Sequence, residues 1–287
     1  MQLSHPAAEL FVPDGAPESE ALARISHLAI AAHQDDLEIM AYHGIVECFG
    51  RADRWFGGVV ISNGAGSPHA GRYAELPDEG MLHIRHREQK KAAVVGEYGM
   101  VALLGYPPAE HRDLSNPAPS EDLRQLLAAM RAPTIYTHNL ADKHNAHVAV
   151  ALRVIEVLRG LAEERRPQRL LGCEVWRDLD WLDDDQKVAL DVHQHDNLAA
   201  ALLGLYDSQI DGGKRYDLAA LGRRRAHATY HAPLDTDDTT QLSFAMDLTP
   251  LLLEPERDPA EFAGAQIERF RQDVVARIDA LRPQRHG

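Results

Sequence analysis

The stretch Ser26-His27-Leu28-Ala29-Ile30-Ala31-Ala32-His33-Gln34-Asp35-Asp36-Leu37-Glu38 decides how this chain is read. Its first seven residues form a short apolar run that stops at a polar cluster. A buried parallel strand has this form when it delivers residues to its carboxyl end. Residues 36–49 then read as a helix, with Leu37, Met40 and Ile45 among its apolar positions.

Outward from this junction the alternation continues. Strands are expected at Trp55 to Ser62, Val101 to Leu104, Thr134 to Thr137 and Leu170 to Val175, with helices at 80–99, 120–130 and 144–164 between them. Ser120 is the expected cap of its helix, and Pro133 stops the chain before the next strand. Asn63-Gly64-Ala65-Gly66 closes the second strand with glycines that permit a tight turn or a close backbone approach. This pattern predicts parallel βαβ units in an α/β fold, a Rossmann-like open, mainly parallel sheet flanked by helices. Ligands of such sheets bind in the crevice at the carboxyl ends of the strands. After Trp176 the alternation weakens. Asp178 to Asp185 reads as an acidic surface loop, 195–206 as a helix, and Pro259 to Leu281 as an amphipathic helix on the outside. Residues 1–24, with Pro6, Pro13 and Pro17, read as an irregular N-terminal arm, and 25–287 as a single domain.

Composition narrows the class of protein. The 287 residues are 45% hydrophobic, enough for a sizeable core. Acids outnumber Lys and Arg by 44 to 30, so the overall field opposes a nucleic-acid partner, and none is expected. The basic run Arg223-Arg224-Arg225 reads as a solvated or ion-paired face. No apolar stretch approaches the roughly 18 residues of a membrane span, and MQLSHPAAEL lacks the plan of a signal peptide. A cytoplasmic protein without membrane partners is therefore expected, and a homo-oligomer is compatible with the sequence. Cys48 and Cys173 are too few for a disulfide framework and read as buried small hydrophobes. The 16 histidines outnumber the 8 tyrosines, so a histidine gains weight only from its context.

Context singles out His33, Asp35 and Asp36. Two adjacent carboxylates repel, and a divalent metal is the simplest compensation, because a His nitrogen and an Asp oxygen three residues apart can converge where strand turns into helix. The competing reading makes Asp35 or Asp36 only the cap and first-turn acid of the helix. A second cluster, Thr137-His138-Asn139-Leu140-Ala141-Asp142-Lys143-His144-Asn145-Ala146-His147, follows another expected strand. His144 and His147 share a helix face there and can point into the same crevice. His138 either lines the pocket or makes strand-end hydrogen bonds. His193 and His195 form an HxH that could reach a metal from a strand, or stay at the surface. Arg85 either binds a substrate hydroxyl or phosphate, or pairs with Glu88.

Together these residues resemble the LmbE-like, or PIG-L, family of N-acetylglucosaminyl deacetylases. Ala32-His33-Gln34-Asp35-Asp36-Leu37-Glu38 is similar to the family motif AHPDDxE, and His144-Asn145-Ala146-His147 to its HxxH. Asn63-Gly64 and Arg85-His86-Arg87-Glu88 look like its asparagine-glycine turn and RxxE helix, through about residue 160. Tyr206-Asp207-Ser208-Gln209 looks like a weaker element in which a His often stands where Tyr206 does. The resemblance implies zinc held by His33, Asp36 and His147, with Fe2+ the other ion such a site takes in cells. It implies Asp35 as general base and His144, protonated, as the group that stabilises or protonates the reacting centre. Arg85 and Asn63 become substrate contacts. The implied reaction hydrolyses the N-acetyl group of a small amino-sugar substrate, N-acetylglucosamine or an N-acetylglucosaminyl conjugate, to acetate and a free amine.

Two positions depart from the family pattern. Gln34 replaces the usual proline, which removes a backbone constraint but no ligand, and Ala146 replaces a common aspartate, so orientation of His147 must come from elsewhere. The rival readings are a non-catalytic sugar- or nucleotide-binding module and a silent relative. No GxGxxG follows the first strand and no Walker pattern occurs, which argues against the first. The second predicts loss of a ligand or of the base, and none is lost.

Overall fold

A computed structural model describes residues 1 and 3–283, so the last four residues of the expected 25–287 domain lie outside the described residues. Eight strands, β1 (Glu9–Phe11), β2 (Ile25–Ala31), β3 (Trp55–Ser62), β4 (Met100–Tyr106), β5 (Thr134–His138), β6 (Arg169–Cys173), β7 (Lys187–Asp191) and β8 (Leu242–Asp247), form one sheet in the order β1-β4-β3-β2-β5-β6-β8-β7. The five inner strands from β4 to β6 are parallel. β1 is antiparallel to β4 at one edge, and β8 is antiparallel to both β6 and β7 at the other.

Burial explains the parallel centre. Helices cover both faces, so side chains of alternating direction are all apolar: Leu28 and Ile30 join one core cluster, Ala29 and Ala31 the other. Gly58 lets the helix Asp36–Met40 sit directly on the sheet, since a Cβ there would lie 2.5 Å from Leu37 Cδ1. From β2 the chain builds first toward β3 and β4, then returns to lay β5 on the opposite side of β2. The crevice between the carboxyl ends of β2 and β5 is therefore a topological switch point, the preferred ligand site of such sheets. His33 and His138 stand at those two ends.

Several elements differ from the sequence reading. Residues 1–24 contain β1 and the helix Glu18–Ala23 rather than an irregular arm; Pro6 and Pro13 fall outside both, and Pro17 precedes the helix where its missing N–H costs nothing. The helix expected over 36–49 is two, Asp36–Met40 and Tyr42–Cys48, joined at Ala41. Ser120 lies inside the helix Ala118–Ala129 and accepts from Arg153 Nη1 at 2.6 Å, while Asn116 Oδ1 takes the Ala118 N–H. Arg224 is buried and donates to the Glu38 carbonyl, so only part of the arginine run is solvated: Arg225 is exposed and Arg223 half-buried. Both cysteines are free and buried. The helix Pro259–Leu281 is capped by Asp258 and, of its residues, buries Phe262 alone. Among the described residues no helix is long and apolar enough to cross a membrane.

Candidate active site

Three donor atoms converge at the switch point. His33 Nδ1 lies 3.2 Å from Asp36 Oδ2 and 3.2 Å from His147 Nε2, and the last two are 3.4 Å apart. Ligands about 2.0–2.1 Å from a tetrahedral ion are separated by roughly 3.3–3.4 Å, so this triangle has the edge lengths of one face of a zinc site. Asp36 is held in place by accepting the His33 N–H at 2.7 Å. Burial works against its ionisation, but the imidazoles of His147, His138 and His33 hold its carboxyl well below the usual range. Asp35, at the cap position of the helix, makes no side-chain cap bond, so the pair is not explained as helix capping.

His138 completes a second donor set with Asp36 and His147, its Nε2 3.5 Å from Asp36 Oδ2. That nitrogen already accepts the Ala32 N–H at 2.9 Å. The ring therefore supports the site from below, stacked on His147 with centroids 3.9 Å apart, and its lone pair is not free for an ion. His147 turns its other nitrogen, Nδ1, toward Asp142 Oδ1 at 3.5 Å. Asp142 also accepts the N–H groups of His144 at 2.9 Å and Trp176 at 3.0 Å. Its pKa falls to about 2; burial opposes this, and the neighbouring His147 with the His144 N–H outweighs it. Asp142 thus does what the missing aspartate at position 146 would have done. The sequence offers no spacing rule that would have singled it out.

Asp35 faces the same cavity without belonging to the triangle. Its backbone takes φ 88°, unusual for a residue with a side chain. The N–H donates to Gln89 Oε1 at 3.4 Å. Arg85, fully buried, donates from Nη2 to the Gln34 carbonyl and sits 3.4 Å from Asp35 Oδ2. Burial pushes the Asp35 carboxyl up to about 7 against the pull of Arg85, with Asp36 and Glu38 adding to the rise. Arg85 also stands 3.8 Å from Glu88 and lines the cavity, so the ion pair with Glu88 is present and the side chain borders the space a substrate would fill.

His144 departs from the role first assigned to it. It caps the helix Asn145–Arg159, its Nδ1 accepting the Ala146 N–H at 3.3 Å. Burial, with His147 and His33 nearby, lowers its pKa to about 4. With Nδ1 accepting, this lowering favours a neutral ring whose Nε2–H is left to donate over the cation expected from the sequence.

The cavity encloses about 410 Å³. Beyond the residues above, its wall includes His111, Trp176, Gln209, Lys214 and Tyr216. Trp176 and Tyr216 meet edge to face at 6.1 Å, and Lys214 Nζ lies 4.9 Å from the Trp176 ring. Gln209 belongs to the weak element already noted in the sequence; His111, Trp176, Lys214 and Tyr216 come from a short helix, from loops and from the start of a later helix, where no local signal marked them. Asn63 is not in the wall: its Oδ1 accepts the Ala65 N–H and shapes the turn. His193 is exposed and paired with Asp191 at 2.7 Å, and His195 lies outside the cavity with φ 57°.

Residues 28–158 match the PIG-L family model, described as GlcNAc-PI de-N-acetylase. No curated protein matches the chain. Among solved structures it is similar to N,N'-diacetylchitobiose deacetylase from Pyrococcus horikoshii, at 13% identity and TM-score 0.58 over 79% of this chain and 85% of that one. A zinc-inhibited form of teicoplanin deacetylase Orf2 aligns at 15% identity and TM-score 0.56, covering 77% and 97%. The 4-carboxy-2-hydroxymuconate hydratase GalB from Pseudomonas putida KT2440 aligns at 16% identity and TM-score 0.55, covering 78% and 96%. At these identities the likeness establishes the shared fold, on which a deacetylase and a hydratase both occur.

Proposed function

We propose that the chain, whose residues 28–158 match the PIG-L family model, is a metal-dependent N-deacetylase that hydrolyses the N-acetyl group of a small amino-sugar substrate. The observation that carries this reading is the triangle of His33 Nδ1, Asp36 Oδ2 and His147 Nε2 with Asp35 beside it and outside it.

The donor set suits zinc, or Fe2+, and leaves one face open to the cavity. A bound divalent ion supplies Lewis acidity, which acidifies water and draws charge from a carbonyl. The remaining work falls to side chains. Asp35 accepts a proton from the attacking water as its oxygen bonds to the acetyl carbon. His144 donates Nε2–H to the carbonyl oxygen as negative charge gathers there. Asp35 then returns the proton to the nitrogen as the C–N bond breaks, giving acetate and a free amine. Trp176 and Tyr216 offer apolar ring surface for a sugar face, and Arg85 in the cavity wall offers positive charge to its oxygens.

Metal analysis of the purified protein, followed by acetate release from a panel of N-acetyl sugars and conjugates, tests the proposal. One divalent ion per chain and release from at least one member are expected. Stoichiometric metal in the His33→Ala, Asp36→Ala, His147→Ala triple variant would overturn the ligand set. Full metal loading without amide hydrolysis, but with hydration of an unsaturated acid, would place the chain with the hydratase chemistry instead.

A further inference from the structure

The third acid of the first motif, Glu38, neither joins the donor triangle nor lines the cavity, yet it is fully buried. We propose that Glu38 and Gln89 are positioning residues that hold the backbone of Asp35, through a relay from the Glu38 carboxylate to the Gln89 amide to the Asp35 N–H. This rests on the reading of Asp35 as the general base.

Each link of the relay has a fixed direction. Glu38 Oε1 accepts from Tyr98 Oη at 2.6 Å and from Gln89 Nε2 at 2.8 Å, and Oε2 accepts from Tyr206 Oη at 2.6 Å. Ionised, Glu38 is an acceptor only, and its three donors favour that form against the burial that raises its pKa. The Gln89 NH2 must therefore face Glu38, and its Oε1 must face Asp35, whose N–H it accepts at 3.4 Å. Without Glu38 the amide could turn over and present NH2 to NH. The Asp35 backbone, at φ 88°, lies in a region that persists only where the surroundings over-determine it. Arg224 Nη2 donates to the Glu38 carbonyl at 2.7 Å and fixes the same turn from the other side.

The relay also accounts for the Tyr206-Asp207-Ser208-Gln209 segment. Tyr206 holds Glu38, Asp207 accepts from Tyr73 Oη at 2.6 Å, and Ser208 holds Glu88 through N–H at 2.8 Å and Oγ at 2.7 Å. The segment is thus a clamp on the two elements that carry Asp35 and Arg85.

Gln89→Leu removes one link and leaves Glu38 with both tyrosines, so the fold is retained. With the metal-loaded protein, kcat should fall about 10- to 100-fold, the scale of an ångström misplacement, with KM and metal content nearly unchanged. The crystal structure of this variant should show Asp35 out of the positive-φ region. Gln89→Glu sets two carboxylates against each other and should lose at least as much. Adding Glu38→Gln to it restores a donor facing an acceptor and should recover about tenfold or more. The proposal is overturned if Gln89→Leu keeps full kcat with Asp35 still at positive φ, or if the double variant is no better than Gln89→Glu alone. Should the wild type hydrolyse no amide, the reading of Asp35 as base fails. The backbone conformation in the Gln89→Leu crystal still decides the relay.

Discussion

Asp35→Asn separates the chemistry at this site from its architecture. Asn is the conservative choice because φ 88° tolerates Asn better than most residues, and its side-chain oxygen can still accept from Arg85 Nη2. Asp35 lies outside the donor triangle, so metal content should stay near that of the wild type. The turnover should not. Loss of a positioned general base costs about 10²–10⁴ in rate, or about 3–5 kcal/mol of transition-state stabilisation. Stability should move the other way in the metal-free protein. Burial raises the Asp35 carboxyl from 3.8 to about 7, so its ionisation opposes folding once pH exceeds the unfolded value, fully so above about 7. Removing that charge should stabilise the metal-free variant by up to a few kcal/mol at pH 8 and by nothing near pH 4. Steady-state acetate release, metal analysis and denaturant melts at the two pH values measure all three effects. A kcat within tenfold of wild type would refute the base assignment. Metal loss as severe as in Asp36→Ala would mean that the two aspartates exchange roles.

Asp142→Ala should weaken metal binding about 10- to 100-fold, read by competition with a chelator; unchanged affinity would remove Asp142 from the support of His147. His144→Ala should lower kcat about 10²–10³-fold, whereas His144→Gln, still a neutral donor, should stay within about tenfold of wild type. Equal damage in the two variants would restore the cationic role. His86, buried on the helix Asp78–Val95, is held down to about 4 by burial, so folding favours its neutral form. Its contribution is present above about 6.5 and is lost as pH falls toward 4, and His86→Gln should flatten the decline of Tm over that interval. An unaltered slope would assign the decline to other groups.

Local pattern carried the reading as far as local forces build the structure. The inner strands are buried on both faces and short, so their apolar runs stand out, and β3 is found where the sequence places it, at Trp55–Ser62. The crevice was legible for the same reason, because strand ends in a parallel sheet share one edge. β7 and β8 were missed because they pair antiparallel at the sheet's edge and three helices, Asp196–Gly204, Asp207–Ile210 and Tyr216–Tyr230, separate them, so the regular alternation that marks βαβ units stops there. The site divides along similar lines. His33, Asp36, His144 and His147 sit in two compact motifs, and the fold brings both to one crevice. His111, Trp176 and Tyr216 enter from a short helix, a loop and a later helix, where only tertiary packing decides which side chain faces the cavity.

The two departures from the family motif show how such packing replaces what local sequence lacks. A proline at position 34 would restrain the backbone by its ring. Gln34 is restrained from outside instead, its Nε2 donating to the Ser62 carbonyl at 3.1 Å and its own carbonyl accepting from Arg85. Ala146 cannot orient His147, but Asp142, four residues earlier in the loop, reaches the same imidazole from the strand side. Each substitute places a different demand on its neighbours. Ser62 contributes a main-chain oxygen, so the side chain at 62 is not constrained by this contact. Gly64 is constrained: it has φ 73°, and a Cβ there would strike Gln34 Oε1 and come within 3.0 Å of the Arg85 stem. The glycine of the asparagine-glycine turn therefore makes room for the two side chains that hold Asp35 in place, while the asparagine only shapes the turn.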